Sequence, residues 1–347
     1  MYCMVPNTEV ILHRHKETGK AFYSGLMTCG SVWLCPVCSS KISERRRNEL
    51  SLAIEQAHQK GWKVYLLTLT VPHGLGDDLK PMLNKLKKLA TKVAQAAYSV
   101  AFWSVSFAWM GAVAVTWAGV SLFIPSRKTH NYIGGPGMAA CFKFSLSKLE
   151  IIYDPDFDPE RRSMFCQNHV NLLDAHAACA SIPHAFCGLM NAWQFKIPFY
   201  GWIMKLADGI PVASGSANRY REVAAAARDR AAKGISILVF PEAHRTVDGK
   251  VHEFKKGVFL MAREAGLPIV PLATRGMYDL NRKGTWLFKP AKITIYVGAQ
   301  IETSGITTDE LRKVITRTET IIRDFTEHGI IPGKPTDEPA PGELTGS

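Results

Sequence analysis

Apolar and polar positions divide the chain into unlike stretches. Up to residue 92, apolar and charged residues are closely mixed. Residues 93–126 contain no Asp, Glu, Lys or Arg, and their apolar heart at 97–125 carries Trp103, Trp109 and Trp117. Charge returns at Arg127, and short β-like runs then alternate with helix-like ones. Strands are predicted at 149–153, 163–167, 209–213, 235–240, 268–274 and 291–297. Helices are predicted at 172–181, 198–206, 219–233, 254–265 and 308–327, the last capped by Thr307 or Thr308. This alternation predicts an α/β fold: a mixed, largely parallel sheet flanked by helices. The tail from residue 329 is rich in Pro, Gly and Glu and is expected to be disordered. The expected segments are therefore 1–92, 93–126, 127–328 and 329–347.

The uncharged stretch exceeds the roughly 18 apolar residues that signal a membrane helix. Gly111 and Gly119 offer points at which it breaks into two shorter helices, and its aromatic residues suit a bilayer interface. Lys80, Lys85, Lys87, Lys88 and Lys92 precede it and hold its N-terminal side in the cytoplasm. A single crossing exports everything after residue 126. A re-entrant or interfacial hairpin keeps both sides inside. The hairpin is expected, because the chemistry below draws on a cytosolic donor. That places the protein on the cytoplasmic face of the inner membrane of a bacterial cell.

The chain has 347 residues, 47% apolar and 21% charged, which excludes wholesale disorder, collagen-like repetition and a polytopic transporter. Its net charge is +12, of which residues 1–97 carry +7 (14 Lys/Arg against 7 Asp/Glu). Such a balance points to nucleic acid, phosphate-bearing ligands or an anionic surface without choosing among them. Eight cysteines are too few for a disulfide scaffold and read as reduced thiols. The first 30 residues show no signal-peptide pattern.

FCQNHVNLLDAH contains His169 and Asp174 in an H-x4-D arrangement. Within one helix, five residues advance about 500°, which leaves the side chains roughly 140° apart. They meet only where His169 sits at a strand end and Asp174 in the first turns of the following helix. A carboxylate on one imidazole nitrogen fixes the tautomer and makes the other nitrogen a general base for a hydroxyl, with no covalent serine or cysteine step. Further on, LVFPEAHRTVDG ends a buried strand in Pro241, Glu242 and Arg245. Arg245 presents a planar fork suited to phosphate. Glu242 is placed to hold a ligand hydroxyl or to orient that arginine. His176 and His184 read as ordinary residues, and His244 as a packing replacement.

In this order the pieces resemble the glycerolipid acyltransferases, specifically the 1-acyl-sn-glycerol-3-phosphate acyltransferase family, over about residues 97–330. Asn168, His169 and Asp174 match its first motif, NHxxxxD. Phe240, Pro241, Glu242 and Arg245 match FPEGTR in part, and Val270 and Pro271 match its V-P pair. FKIPFYGW followed by GIPV is similar to the acceptor-recognition region, and FKKG at 254–257 to a further conserved stretch. The resemblance implies His169 and Asp174 as catalytic residues, and Asn168, Glu242, Arg245, Lys255 and Pro271 as substrate-binding. It implies acyl-CoA or acyl carrier protein as donor, lysophosphatidic acid as acceptor, phosphatidic acid as product, and no cofactor for catalysis. Departures are Ala243 and His244 in place of Gly and Thr, Ala213 and Ser214 in place of Asp-Arg, and no Lys ahead of FKIP. They thin the phosphate recognition, with Arg219, Arg221 or Lys255 as candidates to compensate. Another lysolipid or an aminolipid is the alternative acceptor, and a catalytically dead lipid-binding scaffold the alternative role.

At the other end, Cys29, Cys35 and Cys38 form C-x5-C-x2-C, three thiolates for a structural zinc whose fourth ligand is Cys3, His13 or His15. Arg45, Arg46 and Arg47 follow on a helix-like run. TCGSVWLCPVC and the LLTLT strand resemble the opening of plasmid rolling-circle replication initiators, over about residues 1–92. The His-hydrophobic-His metal motif and the catalytic tyrosine of that machinery do not follow, so DNA nicking is not expected. A nucleic-acid-binding module remains the alternative for this segment, although nucleic acid is not the expected partner.

Overall fold

The computed structural model describes residues 11–14, 21–24, 36–60, 79–213 and 218–333. The chain forms two units, residues 1–82 and 83–347. In the first, β1 (Ile11–Arg14) and β2 (Ala21–Ser24) pair antiparallel, and α1 (Pro36–Gln59) follows. Cys3, Cys29 and Cys35, and most of the expected C-terminal tail, lie outside the described residues. Cys38 falls within α1, but its side chain lies outside them too. The expected zinc site therefore lies outside the described residues.

A single helix, α2 (Leu79–Ser121), carries the apolar stretch, and its portion Asn84–Ser121 is long and apolar enough to cross a membrane. It runs unbroken through Gly111 and Gly119, which corrects the expected break there. A helix-interior glycine costs only about 1 kcal/mol relative to alanine, and packing on one side of α2 outweighs that. Phe102, Met110, Val113, Ala114 and Trp117 are buried in one stripe, the three- and four-residue spacing of a helix face. Other positions leave Val100, Val105, Phe107, Trp109 and Val115 partly exposed.

A return limb does exist, later in the sequence than expected. It comprises α3 (Ser126–Thr129), a π-helical turn (His130–Gly134), α4 (Gly135–Ala139) and α5 (Cys141–Phe144). Glycines let it lie close against α2. A Cβ on Gly134 would fall 2.4 Å from the Trp117 ring, and one on Gly137 would fall 2.7 Å from Val113. Trp109 Nε1 donates to the Gly137 carbonyl, and Trp117 Nε1 to Thr129 Oγ1.

The rest of this unit is built on a seven-stranded sheet. Its strands are β3 (Lys148–Tyr153), β4 (Met164–Gln167), β5 (Phe186–Asn191), β6 (Ile210–Val212), β7 (Ser236–Val239), β8 (Ile269–Arg275) and β9 (Lys292–Val297). The order is β3-β9-β8-β4-β7-β5-β6, with β8–β9 antiparallel and every other pair parallel. The connecting helices are α6 (Asp174–Ser181), α7 (Tyr200–Leu206), α8 (Arg219–Ala232), α9 (Lys256–Ala265), α10 (Met277–Leu280) and α11 (Thr308–Arg323). Thr307 caps α11 in a reciprocal capping box with Glu310.

Strand alternation sends side chains to two cores. Met164, Ile237, Val239 and Ile269 join Val223, Phe259 and Leu311 of α8, α9 and α11 on one face. Phe165, Leu238, Val270 and Leu272 join Ala177 of α6 and Phe102 of α2 on the other. The apolar helix is thus part of the sheet's own core. The carboxyl ends of β4, β7 and β8 lie side by side, the place where open α/β sheets carry their ligands.

Candidate active site

The expected pair meets at the end of β4. His169 lies two residues past the strand, and Asp174 is the first residue of α6. His169 Nδ1 lies 2.8 Å from Asp174 Oδ2. The same oxygen accepts the backbone N–H groups of Val170 at 2.7 Å and Asn171 at 2.8 Å. The turn between strand and helix is therefore wrapped on one carboxylate oxygen, and Asp174 is 1% exposed. Its other oxygen, Oδ1, is buried without a partner. A carboxylate can only accept, so Nδ1 carries the proton and Nε2 is left as the basic nitrogen. Nε2 has no hydrogen-bond partner among the described residues, and the imidazole is 24% exposed.

Two further elements fix the ring. Phe240, just past β7, stacks on it with centroids 4.1 Å apart and planes 19° off parallel. Glu242 accepts the His169 backbone N–H at 2.8 Å on one oxygen and the His252 N–H at 2.9 Å on the other. Burial pushes the Glu242 carboxyl above the usual carboxylate range, against the pull of those two amides. Glu242 thus joins the β4 exit to the loop after β7. Both of its oxygens serve backbone groups, and it makes no bond to Arg245, which departs from the expected ligand-holding role. The loop is tied back once more, since Thr246 N–H donates to the His169 carbonyl at 2.8 Å.

Asn168 is fully buried, and its amide is occupied by Thr274 of β8: Nδ2 donates to the carbonyl, while Oδ1 accepts both the N–H and the hydroxyl. It braces β4 against β8 instead of facing a ligand. Pro271 lies within buried β8 opposite Cys166, packed on Gly298, so it too belongs to the sheet rather than to its lip. Arg245 is half-buried, and its guanidinium pairs with no described residue. Lys283 Nζ donates to the Arg245 carbonyl at 2.8 Å. Lys255 is exposed at the start of α9, its N–H bonded to the Pro241 carbonyl. Arg219 and Arg221 are exposed on the first turn of α8. Ala243, in the family's glycine position, has a φ of +66°.

Sequence reasoning passed over Asn171. It is fully buried, donates to the Met277 and Asn281 carbonyls and accepts the Leu173 N–H, so it holds the His169 turn to α10. A polar residue inside the apolar run HVNLL was its only signal. Phe240 was noted for its motif, but nothing in the sequence announced the stack. Beyond Phe240 lies a narrow apolar cavity of about 40 Å³, walled by Trp117, Met138, Phe186, Leu238 and Ile203. Among the described residues no cluster of three or more His, Cys, Asp or Glu side chains is placed to hold a metal.

Residues 149–275 match the family model described as Acyltransferase. The chain is similar to a 1-acyl-sn-glycerol-3-phosphate acyltransferase of Limnanthes alba, 30% identical over 153 residues, 44% of this chain and 54% of that one. It thus spans about half the length of this relative. In structure it is similar to the 1-acyl-sn-glycerophosphate acyltransferase PlsC of Thermotoga maritima, with a TM-score of 0.57 and 21% identity, over 66% of this chain and 96% of the other. That likeness establishes the fold. A separate match, 38% identical over 84 residues, is to the Protein rep of Streptomyces lividans, covering 24% of this chain and 18% of that protein. It accords with the replication-initiator resemblance of the N-terminal segment.

Proposed function

We propose that the protein is a membrane-associated acyltransferase moving a fatty acyl group from acyl-CoA or acyl carrier protein to the free hydroxyl of lysophosphatidic acid, giving phosphatidic acid. The observation that carries this reading is the 2.8 Å contact between His169 Nδ1 and Asp174 Oδ2, with Nε2 left unpartnered on a partly open ring. Nε2 takes the proton of the acceptor hydroxyl as its oxygen attacks the thioester carbonyl. The new C–O bond forms, the tetrahedral oxyanion collapses, the C–S bond breaks, and the departing thiolate receives the proton from His169. Backbone N–H donors stabilise the oxyanion. Arg245, whose fork is free, holds the acceptor phosphate and so positions the hydroxyl. Asp174 keeps the imidazole in the productive tautomer throughout.

The exposed apolar residues of α2 suit lipid. We place the protein at the cytoplasmic face of the inner membrane, where lysine residues at 80–92 hold the start of α2. The test is transfer of a labelled acyl group from its thioester to a panel of lysolipids. His169→Ala is expected to lower kcat by about 10²–10⁴-fold with the fold retained. His169-independent transfer, or no transfer to any lysolipid by the unaltered chain, overturns the reading.

A further inference from the structure

Residues 192–206, AWQFKIPFYGWIMKL, contain two lysines and no carboxylate. They form a 3-10 turn (Ala192–Lys196) followed by α7. The segment has two unlike faces. Inward, Gly201 and Ile203 are buried, and Ile203 and Met204 wall the apolar cavity. Outward, Trp193 is 60%, Trp202 48% and Phe199 38% exposed. Phe199 and Trp202 meet edge to face, with centroids 5.5 Å apart.

This display is built rather than frayed. A Cβ on Gly201 would fall 2.3 Å from the Phe195 carbonyl oxygen, so the turn leading into α7 closes only with glycine there. Phe199 is held at φ +60°, a conformation that L-residues enter only under constraint. The patch also continues onto α2, because the Phe199 ring lies 3.7 Å from where a Gly111 Cβ would sit. Lys196 and Lys205 are exposed and make no ion pair among the described residues. Solvent-exposed tryptophans flanked by unpaired lysines, beside an apolar helix, fit the interfacial zone of an anionic bilayer. A second copy fits less well, since a twofold contact would bring the same lysines together.

We propose that residues 192–206 form a second lipid-contact surface, setting Trp193, Phe199 and Trp202 into the headgroup region of a bilayer containing anionic phospholipid. This rests on the membrane reading above and adds to it a contact made by the catalytic domain at the wall of its apolar cavity.

The full chain is reconstituted in vesicles of phosphatidylcholine and phosphatidylglycerol carrying a diazirine phospholipid, irradiated, and mapped for modified residues. Label is expected on residues 192–206 and on the outer side of α2, at least about threefold above Tyr220 on α8, which packs on the opposite face of the sheet. Lys196→Gln with Lys205→Gln should lower label on 192–206 about threefold and leave α2 unchanged. Both lysines are exposed and unpaired, so the fold is not at stake. Label on α2 without label on 192–206 overturns this proposal alone. Label on neither overturns the membrane reading with it. Equal label in the lysine variant overturns the anionic preference. Cross-links between copies at Trp193 or Trp202, without lipid label, assign the patch to self-association and overturn the proposal.

Discussion

One oxygen of Asp174 accepts three hydrogens, from the His169 imidazole and from two backbone amides. The carboxylate therefore fixes both a tautomer and a turn. The H-x4-D spacing made this geometry legible, because only a strand-to-helix boundary lets those residues meet. The partners of Asn168 and Glu242 were not legible, since a side chain turned to a backbone amide leaves no pattern in a sequence. At Ala243 the motif departure and the backbone agree. A φ of +66° strains any residue with a Cβ, at about 1–2 kcal/mol. Ala243→Gly is expected to raise the thermal midpoint by about 1–3 °C, the strain relief slightly exceeding glycine's entropic penalty. His176 gives a pH effect. Burial lowers it to about 4 from the ordinary 6.5, and its Nδ1 has no partner. Below pH 6.5 the unfolded chain takes up a proton that the folded chain refuses until about pH 4. Its contribution is therefore complete above 6.5 and is lost as pH falls through that window, by about 2 kcal/mol or more. Denaturant titrations between pH 7 and 4.5 should show that loss, and His176→Leu should reduce it, the remainder coming from buried His184, which is also lowered to about 4.

At the scale of elements, strands flanked by turn residues were readable to within a residue or two. Strand β5 was not predicted, because FCGLMN carries a glycine and lacks β-branched residues. The expected hairpin was displaced, since glycine counts as a breaker only where packing does not oppose it. The glycines that matter for this pair of limbs are in the return limb, where Gly134 faces the Trp117 ring. Gly134→Ala should destabilise the protein by about 1–3 kcal/mol through overpacking, read as a lower thermal midpoint, while Gly119→Ala, with open space around it, should not.

For the whole molecule, the sheet, the site and α2 from Leu83 onward belong to one unit, and α2 itself starts four residues earlier at Leu79. Removing residues 1–78 is expected to leave acyl transfer within about twofold of the full chain, measured as kcat/KM on the same lysolipid. Loss of transfer on trimming would make the N-terminal segment part of the working enzyme. The abrupt change in charge near residue 93 showed where the composition turns but not that one helix, α2, runs across it.

Phe102 of α2 packs in one core with Phe165 of β4 and meets Phe288 at a ring distance of 4.4 Å. On the membrane reading proposed above, a helix fused to the core in this way is a keel, not a leash. Its tilt cannot change without opening the cavity wall beside the imidazole, so the height of the reacting nitrogen above any surface the helix enters is set when the chain folds. On that reading, bilayer thickness is a variable of turnover itself rather than of retention.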